Sequence, residues 1–180
     1  MIRDIQKVDD DIIEAKRLIK QKLYSDPDII EAIHNVDLNP EEPDTYIDNN
    51  IFDYIRIPGT TDTVKNFICF DIRQDSMTER NDHFKNQLYI FQVSAHANDI
   101  RTPYGMARHD LLAYLIRDIF NYSNMFGLQL VLTSNVPGLM DTFWSSRTLT
   151  FKAVTPNSLN RAVKTNKYEF AGSGPINGND

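Results

Sequence analysis

The stretch Gln87–Gly127, QLYIFQVSAHANDIRTPYGMARHDLLAYLIRDIFNYSNMFG, constrains the fold more than any other part of the chain. From Leu88 to Ala97 the side chains alternate strictly. Tyr89, Phe91, Val93, Ala95 and Ala97 fall on one face, and Leu88, Ile90, Gln92, Ser94 and His96 on the other. Period-two alternation with aromatic and β-branched residues marks a half-buried strand. A turn at 98–101 follows, and Thr102-Pro103 supplies a cap and a first-turn proline for a helix. Leu111, Leu112, Leu115, Ile116, Ile119 and Phe120 recur at helical spacing, a stripe wide enough to lie on a sheet. Gly127 ends the pattern as a residue suited to the left-handed conformation past a helix end.

Around this unit the chain supplies further elements. Val8, Ile12, Ala15, Ile19 and Leu23, backed by Ile5 and Leu18, predict an amphipathic helix from about Asp4 to Tyr24. Ser25-Asp26-Pro27 opens a short helix carrying Ile29, Ile30 and Ile33, with Asp26 as its cap. The segment 37–50 reads as an extended surface loop, its two prolines and five acids being solvated. Strands are expected at 51–57, stopped by Pro58-Gly59, at 66–74, at 128–133 and at 147–154. A long polar loop is expected over 75–86, and a turn at Asn135-Val136-Pro137-Gly138. The expected class is α+β: a mostly antiparallel sheet of four to five strands, one long helix (103–126) on its apolar face, and an N-terminal amphipathic helix. Residues 1–154 form one domain, with a helical, acidic part at 1–50 and a sheet–helix core at 51–154. Residues 155–180 are a polar extension, expected to be partly disordered.

Charge narrows the function. The net charge is −6, and residues 1–50 carry 13 acidic against 6 basic side chains. No broad basic surface is available for nucleic acid, whose binding rests on phosphate neutralisation by Lys and Arg. No apolar run approaches the roughly 20 residues of a membrane span, and the N-terminus is too acidic for a secretory signal. The single cysteine, Cys69, lies in a strand-like run, as a small core residue would.

Catalytic signatures are scarce. His34, His83, His96 and His109 show no ligand spacing. His96, Asp99, His109 and Asp110 are the candidates for a metal or acid–base cluster, but capping and hydrogen bonding at a turn explains the same residues at lower cost. Asp71 lacks the partner residues a metal-dependent nuclease needs on the next strand. With seven glycines, three of them in the last nine residues, a glycine-rich phosphate loop cannot be built. The expectation is no enzyme, no catalytic residue, no metal and no cofactor. Leu139, Met140, Phe143 and Trp144 form an apolar connection that either joins an interface or folds back over a sheet edge.

LYIFQVSAHANDIRTPYGMARHDLLAYLIRDIFN, followed at a distance by SSRTLTFKAVTPN, resembles the tail-terminator (tail-completion) proteins of long-tailed bacteriophages. Tyr89 to Ala97, Ala107 to Phe120 and Leu149 to Val154 occupy the places of the family's strand, helix and final strand, and the likeness covers about residues 51–154. It implies a structural virion protein forming a homo-oligomeric ring, a hexamer, at the head-proximal end of the tail tube. Such a ring ends tube growth and meets the neck. The implied partners are the protein itself, the tail tube protein and a neck or head-completion protein. DNA would be only cargo through an acidic lumen, no membrane would be involved, and assembly would occur in the host cytoplasm. The 75–86 segment, with Met77, Arg80, His83 and Phe84, would then contact a neighbour or the tube, alongside Leu139, Met140, Phe143 and Trp144. The alternatives are a head-completion or connector adaptor and, further off, a metal-dependent hydrolase.

Overall fold

The computed structural model describes residues 11–56, 64–78, 81–125 and 129–156, with no account of the side chains at 11, 76–78, 81–83 and 139–141. In chain order the elements are helix α1 (Asp11–Tyr24), helix α2 (Pro27–Ile33), strands β1 (Ile51–Phe52), β2 (Phe67–Thr78) and β3 (Asn81–His96), helix α3 (Arg108–Phe120), and strands β4 (Val131–Asp141) and β5 (Trp144–Pro156). This is the α+β order that the hydrophobic patterning predicts. The strands form one sheet in the order β1-β2-β3-β5-β4, antiparallel except for the short β1–β2 pair.

All three helices cover one face. Helix α3 lies over β3 and β5, α1 over β1 and β2, and α2 bridges the two helices. Ala15, Ile19 and Leu23 of α1 and Leu112, Ile116 and Phe120 of α3 are buried against Phe70, Tyr89, Phe91, Val93, Leu149 and Phe151. Those are the inward positions of each alternating strand, as period two requires. Phe91 sits at the centre. Its ring centroid is 4.9 Å from Phe120, 5.6 Å from Phe151 and 5.9 Å from Phe70. Helix α1 is also tied to the β1 edge by ions: Lys16 Nζ lies 2.6 Å from Asp71, and Lys20 Nζ 2.8 Å from Asp53.

Local rules set several boundaries. Asp26 Oδ1 accepts from the Asp28 and Ile29 N–H groups while Pro27 begins α2, the predicted cap. Apart from 79–80, which lie outside the described residues, the polar stretch 75–86 is strand and not loop. Strands β2 and β3 continue through it, pairing out to Thr78↔Asn81 past two irregularities. β2 and β3 hold each other there, and β5 supports β3 at Phe84–Asn86, with Lys85 opposite Thr155. Nor do Asn135–Gly138 form a turn: β4 runs through them. Proline within sheets is confined to edges, and β4 is the outer strand. A Cβ at Gly138 would lie 2.8 Å from Ser146 Oγ, so that hydroxyl would have to swing away.

Helix α3 is shorter than predicted, 13 residues in all. Thr102-Pro103-Tyr104-Gly105 makes a turn instead of a helix start, with Gly105 N–H donating to Thr102 O and Gly105 at φ +82°. That left-handed residue is incompatible with continuing a helix. At the other end Tyr122, at φ 61°, follows the helix, so the chain turns before Gly127, which lies outside the described residues. The strand expected at 51–57 pairs over only two residues. The loop at 37–50 holds a 3-10 turn at Pro43–Tyr46 that buries Tyr46. The beginning of the N-terminal helix before Asp11 and the extension after Pro156 also lie outside the described residues.

Candidate functional site

Two features stand out: a buried polar network beside a groove, and a sheet face without helices.

The network joins the end of α2, the residues before β1 and β2, the turn after β3 and the start of α3. Arg108, at the start of α3, is 4% exposed. Its Nε donates to Asp99 O at 2.8 Å, its Nη2 to Asp99 Oδ1 at 2.9 Å, and its Nη1 to Ala32 O at 2.9 Å. Asn66 donates to Asp99 Oδ2 and to Ile33 O, and accepts from the His96 N–H. Asn50 extends the chain by donating to Asn66 O and accepting from Asn35. His34 completes it from the rim. It ends α2 in the left-handed conformation, φ 54°, and its Nδ1 lies 3.1 Å from both Asp99 oxygens. The carbonyls left unpaired at the end of α2 thus receive side-chain donors, Ala32 from Arg108 and Ile33 from Asn66.

Beside this network opens a groove of about 650 Å³ between α2 and the turn that precedes α3. Leu111 and Leu115 are its apolar part, Asp28 and Glu31 stand on the α2 side, and Arg101 and Tyr104 on the other. Tyr104 Oη reaches Glu31 at 3.3 Å.

The four residues weighed for a metal or acid–base cluster do not come together. Asp99 is engaged as described. His96 caps the turn, accepting from the Asn98 N–H, and its ring stacks on Phe143. Asp110 binds Arg147 Nε at 2.6 Å on β5, with His109 Nε2 3.5 Å away. Among the described residues no three His, Cys, Asp or Glu side chains are grouped to hold a metal ion. Cys69 is buried, and burial pushes its thiol up, so it is a poor nucleophile. His34, Asn66 and Arg108 carry the network, and no local pattern in the sequence marks them. They are single residues brought together across tens of positions.

His109 makes a testable electrostatic point. Its Nδ1 is buried without a partner, and its pKa is lowered from 6.5, mainly by burial, with Arg147 adding to this and Asp110 opposing it. The folded state therefore prefers the neutral ring. This contribution to stability is present above the unfolded value and is lost as the pH falls through the folded one. Below pH 6.5, wild-type stability should decline more steeply than that of His109→Gln in paired urea titrations. Parallel declines would discount the effect.

Among the described residues the opposite sheet face carries no helix. At its His96 end Phe52, Phe67, Cys69 and Trp144 form a small buried cluster, with Arg56 over the Phe52 and Phe67 rings. Elsewhere Phe84, Leu88, Ile90, Val131, Val136 and Val154 share this face with Gln92, Thr148, Thr150 and Lys152. Val136 is 54% exposed and Val154 43%.

The candidate interface residues divide between two ends. Phe84 pairs with Pro156 at one end, whereas Trp144 pairs with His96 at the other. Phe84 and Phe143 are exposed. Trp144 is not. At 2% exposure it packs on Phe67 and His96 in the small cluster on the helix-free face, and it is part of the protein's own core. Arg80, and the side chains of Met77, His83, Leu139 and Met140, lie outside the described residues.

These features define a single-sheet, two-layer α+β protein with helices on one face and an amphipathic surface on the other. The model of the YomW family matches residues 18–153, from within α1 to near the end of β5, and the chain belongs to that family. No curated protein matches it. Among the described residues no helix is long and apolar enough to cross a membrane.

Proposed function

We propose that this chain is a structural virion protein of a tailed bacteriophage, a tail terminator. In this reading it assembles as a hexameric ring on the head-proximal end of the tail tube, stops tube growth and joins the tail to the neck. The observation that carries the reading is the helix-free sheet face. Among the described residues it carries exposed and part-buried aliphatic side chains interleaved with polar ones, Lys152 among them, a surface suited to contact with a partner. Strands β2 and β3 pair beyond the Phe84–Pro156 end of the β3–β5 ladder, out to Thr78↔Asn81, offering the contact to a neighbour or tube that the resemblance implies. The family name, of a kind given to prophage genes, favours a phage protein. The exposed acids Glu41, Glu42 and Asp44 suit a lumen through which DNA passes as cargo.

Ile90 is the test position, at the middle of the face between Asp71 of β2 and Thr150 of β5. Ile90→Lys, at a partly buried position, is expected to cost about 1 kcal/mol of stability, the middle of the range for point substitutions. It should also abolish ring formation by the chain, alone or on added tail tubes, in light scattering and electron microscopy. A wild-type chain that stays monomeric at all concentrations and ignores tubes would overturn the proposal.

A further inference from the structure

The charged side chains that line the groove between α2 and the turn before α3 fall into two groups. Arg108 and Asp99 are paired with each other, and His34 joins Asp99 from the rim. Asp28, Glu31 and Arg101 are exposed, and among the described residues none of them has an ion-pair partner. The Glu31 carboxylate accepts only from the Tyr104 hydroxyl, at 3.3 Å. Leu111 and Leu115 supply the apolar surface.

Arg108 adds an observation from the buried side. Its bonds to Asp99 and to Ala32 O use three of its N–H donors. Its remaining donors have no partner among the described residues, although the side chain is buried and lines the groove. A buried donor left unmade is costly, so a ligand that accepts from it gains.

These groups discriminate between classes of ligand. An anion alone would stand beside Asp28 and Glu31. A cation alone would leave Arg101 and the spare Arg108 donors without a partner. A neutral apolar molecule would cover all of them and pair none, a desolvation cost at each. A molecule with one cationic end, one carboxylate end and an apolar body meets every group. We infer that the groove binds a zwitterionic ligand of the amino-acid or short-peptide class with aliphatic side chains. Its ammonium group lies on the Asp28 and Glu31 side, its carboxylate on Arg101 and Arg108, and its side chains on Leu111 and Leu115. Arginine suits that role because guanidinium–carboxylate hydrogen bonds are charge-assisted and directional. The volume, about 650 Å³, lies within the ~300–1,000 Å³ of small-molecule sites. The inference stands on the groove alone, independently of any role in a phage tail.

The test is calorimetric titration of the full chain with the dipeptide leucyl-leucine, whose two termini are both charged at about pH 7. The dipeptide is expected to bind, and its N-acetyl form and its C-terminal amide to bind at least tenfold more weakly. Asp28→Asn/Glu31→Gln should lose the preference over the N-acetyl form and keep the preference over the amide. Arg101→Gln should narrow the preference over the amide at least threefold and leave the other intact. All three positions are exposed, and an unchanged melting temperature in each variant separates lost binding from lost fold. No binding of the dipeptide at millimolar concentration, or equal binding of all three compounds, would overturn the proposal. So would preferences that the substitutions leave unchanged, or binding of the amide or the N-acetyl form in place of the dipeptide.

Discussion

Arg108→Met is expected to destabilise the protein by about 3–5 kcal/mol, the usual result of removing one partner of a buried ion pair. Three guanidinium hydrogen bonds are lost, two to Asp99 and one to Ala32 O. The Asp99 side chain, 17% exposed, would keep only Asn66 and the half-exposed His34 as partners. The methionine fills the aliphatic volume without replacing a donor, so the effect reports the unpaired polar groups. In a domain of this size the melting temperature should fall on the order of 10 °C. Arg147→Ala is the control. Its pair with Asp110 is more open, with side chains 25% and 44% exposed, and should contribute below about 1 kcal/mol. Equal losses in the two variants would mean that the network at the sheet end is ordinary surface electrostatics.

The second large effect belongs to Phe91→Ala. This side chain has no solvent exposure and touches the rings of Phe70, Phe120 and Phe151, which come from a neighbouring strand on each side and from α3. Its removal takes away transfer energy and leaves a cavity that three other rings can fill only in part. A cost of about 3–5 kcal/mol follows, seen as a lower urea midpoint at unchanged slope. Phe143→Ala provides the contrast. Half exposed at the tip of the β4–β5 hairpin, it should change stability by about 0.5 kcal/mol or less. If Phe91→Ala cost no more than Phe143→Ala, the sheet and α3 would not share one core.

Where burial and chain-local chemistry coincide, the sequence is explicit. The alternation around Phe91 and the leucine stripe of α3 name their buried faces correctly, because both are imposed by the same core. Asp26-Pro27 fixes the start of α2, since a cap needs only its own neighbours. The failures have one physical cause. Asp75–Asn86 has no apolar alternation and one β-branched residue, Thr78, yet its described residues become strand through partners: β2 and β3 hold each other, and β5 holds the near end of β3. Asn135–Gly138 has the composition of a turn, yet the backbone of β5 recruits it into an edge strand. Thr102-Pro103 has the signals of a helix start, and only Gly105, two residues on, hints at the turn that displaces it.

The candidate site was still less legible. His34, Asn66, Asp99 and Arg108 come from four loop or helix-end positions, and no spacing relates them. Asp99 was visible as a turn residue beside His96, and its true partners were not. What the sequence by itself determined is the set of elements, their order, their buried faces and the lack of any local catalytic motif, because periodicity and capping act over a few residues. The strand lengths, the burial of Trp144, the polar network, the groove and, among the described residues, the helix-free sheet face come only from the tertiary structure. Each depends on pairing or packing between segments tens of residues apart, where the stabilising contact belongs to neither segment alone.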